Sequence, residues 1–223
     1  MLLLYCMALG DPGLSPPSHG VCKAAVEVAQ QDSLRCFYSR HESFADSAPE
    51  KTRQDALDFH WTINHIFQQR VVIPFRFPTL MKSEEDLKTF LQKHGNIYRE
   101  DLSRLGQFVQ MEVRLQFEAA PAHPGAPTSG TTYLKTRFDA AQKQIESANE
   151  VRNKAKAREW KQRDASGNLR LFALVPRISA EDFRADVAAS QLPPGVMIRV
   201  SGPWPPTEFV NCYPEIEAGT SPS

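Results

Sequence analysis

The sequence has only four cysteines, Cys6, Cys22, Cys36 and Cys212, and no two of them form a CxxC pair. That spacing excludes zinc-ribbon and thioredoxin-like chemistry and predicts reduced, buried thiols. An excess of either charge is also missing, with 26 basic residues against 26 acidic ones. No long-range field therefore draws the chain to nucleic acid or to an anionic membrane, and one defence against self-association is absent. No apolar run approaches the roughly 20 residues of a membrane span. The opening run, LLLYCMAL over 2–9, is short and has no basic residue ahead of it, so it reads as a buried strand and not as a signal peptide. What is present, 41% hydrophobic and 23% charged residues in a chain of 223, is the composition of a globular protein with one large domain or two small ones, expected in the cytoplasm.

Motifs that carry chemistry are scarce as well. There is no GxSxG, GxGxxG or phosphate-loop pattern. The histidines stand at 19, 41, 60, 65, 94 and 123; His60 and His65 are five apart, on roughly opposite sides of a helix, and nothing has metal-ligand spacing. Cys36 and His41 can approach in space, but two residues are not a mechanism. The triplet Glu84, Glu85, Asp86 is explained by the electrostatics of a helix start. No catalytic, cofactor-binding or metal residue is assigned, and no cofactor is expected.

Hydrophobic periodicity gives the elements. Two strands, Val21–Val28 and Leu34–Arg40, follow the first across a turn at AQQDS. A helix starts near Pro49 and carries Ala56, Phe59, Trp61, Ile63, Ile66 and Phe67 on one broad face. VVIPFRF (71–77) is a strand whose Pro74 marks an edge or a bulge, because proline donates no ladder bond. Ser83 caps a second helix ending at Gly106, with a kink expected at His94-Gly95-Asn96. FVQMEVRLQF (108–117) alternates, with Val109, Met111, Val113, Leu115 and Phe117 inward and Gln110, Glu112, Arg114 and Gln116 outward.

Residues 120–130 read as a flexible connector. A long helix follows from about Thr131, with Leu134, Phe138, Ala141, Ile145, Ala148 and Ala155 along one stripe. A hairpin, REWKQRD turning at ASGN into LRLFALV, a short helix capped by Ser179, and a last strand VMIRV complete the chain. From Phe108 the order is βαββαβ, so the fold class is α+β: two packed units, the second ferredoxin-like. The expected boundaries are 1–106 and 107–214, with a disordered tail at 215–223.

Two features remain. The run Arg152, Lys154, Lys156, Arg158, Lys161, Arg163 is the best electropositive candidate. An RNA-recognition sheet would need a Gly-aromatic pattern on its third strand, where Phe172 stands alone, so the run reads as a solvated helix end and edge strand. In SGPWPPTEF (201–209), Pro203 and Pro206 have the spacing of a polyproline ligand. Direct continuation from a core strand favours a structural role, with Gly202 freeing the backbone, the prolines ending hydrogen bonding and Trp204 buried.

Several passages together resemble one family. VVIPFRFPTL is similar to the "VLPLRFGT" segment of the gas vesicle protein F/L family, through Pro74 and Arg76. LSRLGQFVQMEVRLQF is similar to its "L..L.G..E..VK" passage, with Leu102, Leu105, Gly106 and Glu112 near the corresponding places. SGTTYLKTR resembles "G..YL..R" through Gly130, Tyr133, Leu134 and Arg137, and VSGPWPPTEF resembles "TGPWPPYSF", with Gly202, Pro203, Trp204, Pro205 and Pro206 in place. LLLYCMAL is similar to the first strand, "YLYGI". Pro78 in place of Gly, Thr207-Glu208 in place of Tyr-Ser, and Cys6 in place of Gly are departures.

The resemblance implies a non-enzymatic protein of gas vesicle formation. It would be an assembly factor or minor structural component that binds the apolar major shell protein and other vesicle accessory proteins, with no nucleic acid or membrane partner. Its contact surface would include the exposed side of the long helix, the loop at Pro78, and Arg152, Lys154, Lys156 and Arg158. The rivals are a ferredoxin-like enzyme or small-molecule binder, which would gather His60, Arg76 or Cys36 in a pocket, and a nucleic-acid-binding module.

Overall fold

The continuous apolar run at the N-terminus forms strand β1 (Leu2–Leu9), the centre of a sheet in the order β2-β3-β1-β4. Its partners are β2 (Val26–Gln31), β3 (Leu34–Arg40) and β4 (Val72–Pro74), and a short strand β5 (Leu80–Met81) also pairs with β1. In this computed structural model, residues 1–10, 13–42, 49–118, 130–165 and 168–211 are described, apart from the side chains at 49–51, 132–133 and 165. They divide into two units, Met1–Gln107 together with 205–211, and Phe108–Trp204. The expected connector at 120–130 lies outside the described residues except for Gly130, as do Cys212 and the tail at 215–223.

In the first unit β1 is apolar throughout because both of its faces are covered. One side packs on helix α2 (Glu84–Leu105) through Leu2, Leu4 and Met7 of β1, Leu34 and Cys36 of β3, and Leu87, Leu91 and Leu102 of the helix. The other side meets helix α1 (Pro49–Gln69), where the Tyr5 ring lies 5.2 Å from Phe59. A register shift between Leu4 and Cys6 lets Leu4 and Met7 serve the same face.

Several local expectations are corrected here. Val21–Val28 is not one strand: Val21–Lys23 is a 3-10 turn in which Cys22 and Lys23 have positive φ, and β2 starts only at Val26. Cys22 is exposed, while Cys6 and Cys36 are buried. Helix α2 runs unbroken past His94-Gly95-Asn96; Gly95 is buried there with its Cα facing Leu34. Trp61 is 55% exposed and stacks on His65 one turn along α1 instead of joining the core. Pro74 does occupy a sheet edge.

The second unit has the sheet order β7-β8-β6-β9, all neighbours antiparallel, which is the ferredoxin-like topology. Its elements are β6 (Phe108–Phe117), helix α3 (Gly130–Lys154), β7 (Glu159–Ala165), β8 (Asn168–Pro176), helix α4 (Ala180–Ala188) and β9 (Val196–Trp204). Val109, Met111, Val113 and Leu115 are fully buried, as the alternation predicts, and Gln110 and Glu112 are buried too. Ser179 precedes α4 without a side-chain capping bond.

Candidate functional site

Among the described residues of the first unit, the groove that stands out gathers no set of reactive groups. A groove of about 400 Å³ between β2 and α2 is lined by Ala29, Tyr38, Glu84, Leu87, Lys88 and Leu91 among others. Neither His60, Arg76 nor Cys36 borders it. Burial in the α2-facing core pushes the Cys36 thiol far above its ordinary range, so it stays protonated. Arg76 and Pro78 are exposed on the loop after β4, where Thr79 Oγ1 donates to the Arg76 carbonyl at 2.6 Å. No group of three or more metal-ligating side chains exists among the described residues.

A polar chain does run on the α1 side of this sheet. The Val21 N–H donates to Tyr5 Oη at 3.0 Å, Tyr5 Oη meets Ser39 Oγ at 2.8 Å, and Ser39 Oγ meets His41 Nε2 at 2.8 Å. The Tyr5 and Ser39 hydroxyls are thus both hydrogen-bonded within the chain. Burial, helped by the charge of the N-terminal amine, holds the His41 imidazole below its ordinary range. This array satisfies buried hydroxyls at the sheet's α1 side. Cys36 and His41 do not meet: Cys36 belongs to the α2-facing core, and His41 bonds through Ser39 to Tyr5 on the α1 side.

The GPWPP segment is built differently from its sequence reading. Strand β9 does not stop at Val200 but continues through Gly202 and Pro203 to Trp204. The register slips here, pairing Glu112 with Ser201 and Gln110 with Trp204. The extra residues form a bulge, which tolerates a proline that cannot donate. Gly202 has φ +117, and a Cβ there would lie 2.8 Å from the Gln110 carbonyl oxygen. Its own carbonyl accepts from Arg184 of α4. Trp204 is half-buried, not buried, with its indole N–H donating to Ser201 Oγ at 3.3 Å.

Beyond Pro205, which is half-buried, and the buried Pro206, a 3-10 turn (Thr207–Phe209) inserts the buried Phe209. In the same unit, the buried Asp101 of α2 accepts from the Asn211 backbone and side-chain N–H groups at 2.9 and 2.8 Å. Arg104 bridges Asp101 and the Phe209 carbonyl. The segment is therefore a bulged strand end followed by a latch. Of Pro203, Trp204, Pro205 and Pro206, only Pro203 is exposed, so the motif is not presented as a free polyproline ligand.

The surface that stands out is on α3. Its sheet-facing side near the C-terminus is buried through Ser147, Ala148, Val151 and Ala155 just beyond the helix. The expected single stripe is thus split. Leu134, Phe138 and Ile145 are 67%, 70% and 56% exposed, at i, i+4 and i+11 on one side of the helix. The side chain of Tyr133 lies outside the described residues.

The four basic positions do not converge. Arg152 donates to Gln162 of β7 at 2.8 Å, Lys154 and Lys156 are exposed, and the Arg158 guanidinium sits 4.7 Å over the Phe108 ring. Gly106 does end α2, but with right-handed φ −57, so the helix stop makes no use of glycine's extra freedom. No helix among the described residues is long and apolar enough to cross a membrane.

Comparison with known proteins gives one consistent result. The model of the family "Gas vesicle synthesis protein GvpL/GvpF" matches residues 1–211. The fold is similar to the crystal structure of gas vesicle protein GvpF from Anabaena sp., with a TM-score of 0.76 at 16% identity, covering 95% of this chain and 96% of that one. It is also similar to GvpF from Microcystis aeruginosa, with a TM-score of 0.75 at 15% identity, covering 95% and 99%. No curated protein matches the chain.

Proposed function

Because the chain belongs to the gas vesicle synthesis protein GvpL/GvpF family, we propose that it is a non-enzymatic assembly factor or minor structural component. In this reading it binds the apolar major shell protein in the cytoplasm while vesicles form. A shell subunit with an apolar face aggregates unless that face is covered until it is added to the shell. Covering it takes an adhesive surface and no catalytic pocket.

The observation that supports this reading is the exposed trio Leu134, Phe138 and Ile145 on α3. Fully burying such side chains is worth about 1.5–3 kcal/mol each. With roughly two-thirds of each still exposed, the trio offers about 3–6 kcal/mol of gross apolar gain. That is too little to hold a permanent dimer against the cost of association, and it suits a subunit that is held and then released. Arg152, Lys154, Lys156 and Arg158, near the C-terminal end of the helix, would add polar contacts that orient the partner.

Co-purification of the full chain with the major shell subunit tests the proposal. Retention of the subunit that survives high salt is expected, because the main contact is apolar. A folded chain that retains no shell subunit overturns it.

A further inference from the structure

The register of the second sheet lines up residues that the sequence leaves far apart. Arg163 of β7 pairs with Arg170 of β8, Arg170 pairs with Arg114 of β6, and Arg114 pairs with Arg199 of β9. Directly paired residues point to the same face, so four guanidiniums form a row across the whole sheet. The neighbouring row, in the same register, is Lys161, Phe172, Glu112 and Ser201. These two rows hold five cations and one carboxylate. Like charges directly opposite one another on a sheet are destabilising.

Two devices hold the row in place. Glu112 Oε1 accepts from Arg114 Nε at 2.6 Å and from Arg170 Nε at 2.7 Å. The Arg163 and Arg170 guanidiniums lie 6.0 and 5.1 Å over the ring of Phe172. The heads nevertheless reach solvent: the side chains of Arg114 and Arg170 are 53% and 37% exposed, and Arg163 and Arg199 are exposed.

We propose that this arginine row is a docking surface for an acidic helical segment of a protein partner. Adjacent strands place the guanidiniums about 5 Å apart, so the row spans roughly 15 Å. Carboxylates at i, i+4, i+7 and i+11 of a helix repeat about every 5.4 Å and span about 16 Å. A helix laid across the strands therefore meets each arginine with one carboxylate, and guanidiniums pair with carboxylates in two-bond geometry. A single nucleic-acid strand fits less well, since its recognition needs rings presented for base stacking. The ring within these rows, Phe172, is 2% exposed and lies beneath the guanidiniums. This surface is distinct from the α3 trio and does not depend on shell-protein binding.

The test is fluorescence anisotropy of a labelled helical peptide carrying Glu at i, i+4, i+7 and i+11, titrated with the full chain. A Gln-substituted peptide and a thymidine oligonucleotide are run beside it. The Glu peptide is expected to bind, to weaken as salt rises, and to lose about tenfold in affinity with Arg163→Glu/Arg199→Glu. Should that variant lose its native circular dichroism, Arg163→Gln/Arg199→Gln is the substitute, with a smaller loss in the same direction. Equal binding of the Glu and Gln peptides, or unchanged binding by a folded variant, overturns the proposal. Tighter binding of the oligonucleotide, lost in the same variant, overturns the choice of partner.

Discussion

Phe138 is the position at which shell-protein binding can be tested most sharply. Its ring is 70% exposed on α3, so its removal leaves no cavity and should change stability by no more than about 0.5 kcal/mol. Covering a full phenylalanine side chain is worth about 1.5–3 kcal/mol. The exposed fraction makes the recoverable part about 1–2 kcal/mol, which corresponds to roughly 5- to 30-fold in affinity. Phe138→Gln removes the apolar contact without adding a charge. The assay is light scattering of the shell subunit as it is diluted out of denaturant, with the full chain present at increasing concentration. The concentration that halves the scattering should rise by that 5- to 30-fold factor in Phe138→Gln. Trp61→Gln provides a control, because Trp61 is likewise exposed, at 55%, but sits on α1 in the other unit; it should leave the value unchanged. A folded Phe138→Gln protein that suppresses scattering at the wild-type concentration would refute the reasoning.

Three further outcomes follow from the packing. Gly202→Ala forces a side chain into a φ +117 conformation and against the Gln110 carbonyl; it should cost about 2–4 kcal/mol in chemical unfolding, and a loss below about 0.5 kcal/mol would show that the bulge relaxes freely. Gly95→Ala places a Cβ 3.5 Å from Leu34, an ordinary contact within an unbroken helix, and should raise stability by about 0.5–1 kcal/mol in the same measurement; destabilisation would mean that the helix needs glycine there. Part of the pH response comes from His41, whose imidazole is held below its ordinary range by burial and then by the N-terminal charge; His94 is lowered too, by burial and then by Lys93. The unfolded chain binds the proton more readily, so this contribution is fully present above about pH 6.5 and is lost as pH falls through the lower folded value. Unfolding free energies measured downward through that window should fall, and the decline should be shallower in His41→Gln; an unaltered slope would exclude His41 as its source.

How much of this was legible in the sequence depended on whether a signal was local. β6 was readable because strict alternation has one interpretation, and Val109, Met111, Val113 and Leu115 are all fully buried. The Ser83 cap was readable because its partner is three residues away, with the Asp86 N–H donating to Ser83 Oγ at 3.1 Å. The apolar β1 was recognisable as a strand, but the register shift at Tyr5 depends on packing against two helices and leaves no local trace. His94-Gly95-Asn96 signals a break by propensity, yet packing against Leu34 overrides it. At Gly202-Pro203 the local rule, that proline ends a ladder, was sound; what sequence could not show is that a bulge opposite Met111 absorbs both residues and lets pairing resume at Trp204.

The α3 stripe failed differently, and informatively. Leu134, Phe138, Ile145 and Ala148 follow helical spacing, so a core face was the natural expectation. The helix turns its C-terminal part onto the sheet, and Leu134 and Phe138 nearer its N-terminal end stay 67% and 70% exposed. The arginine row was invisible for the complementary reason: its four members come from four strands and adjoin only in register. The two surfaces lie on opposite sides of one sheet. Arg152 of α3 bonds Gln162, which pairs with Leu171 and through it with Val113, all on the helix-covered side. The arginines occupy the intervening positions and point the other way. A layer of packed strands therefore separates an apolar surface from a cationic one, so one occupant does not block the other. If both proposals hold, a partner bound through its apolar face and a second bound through its carboxylates occupy opposite sides of the sheet.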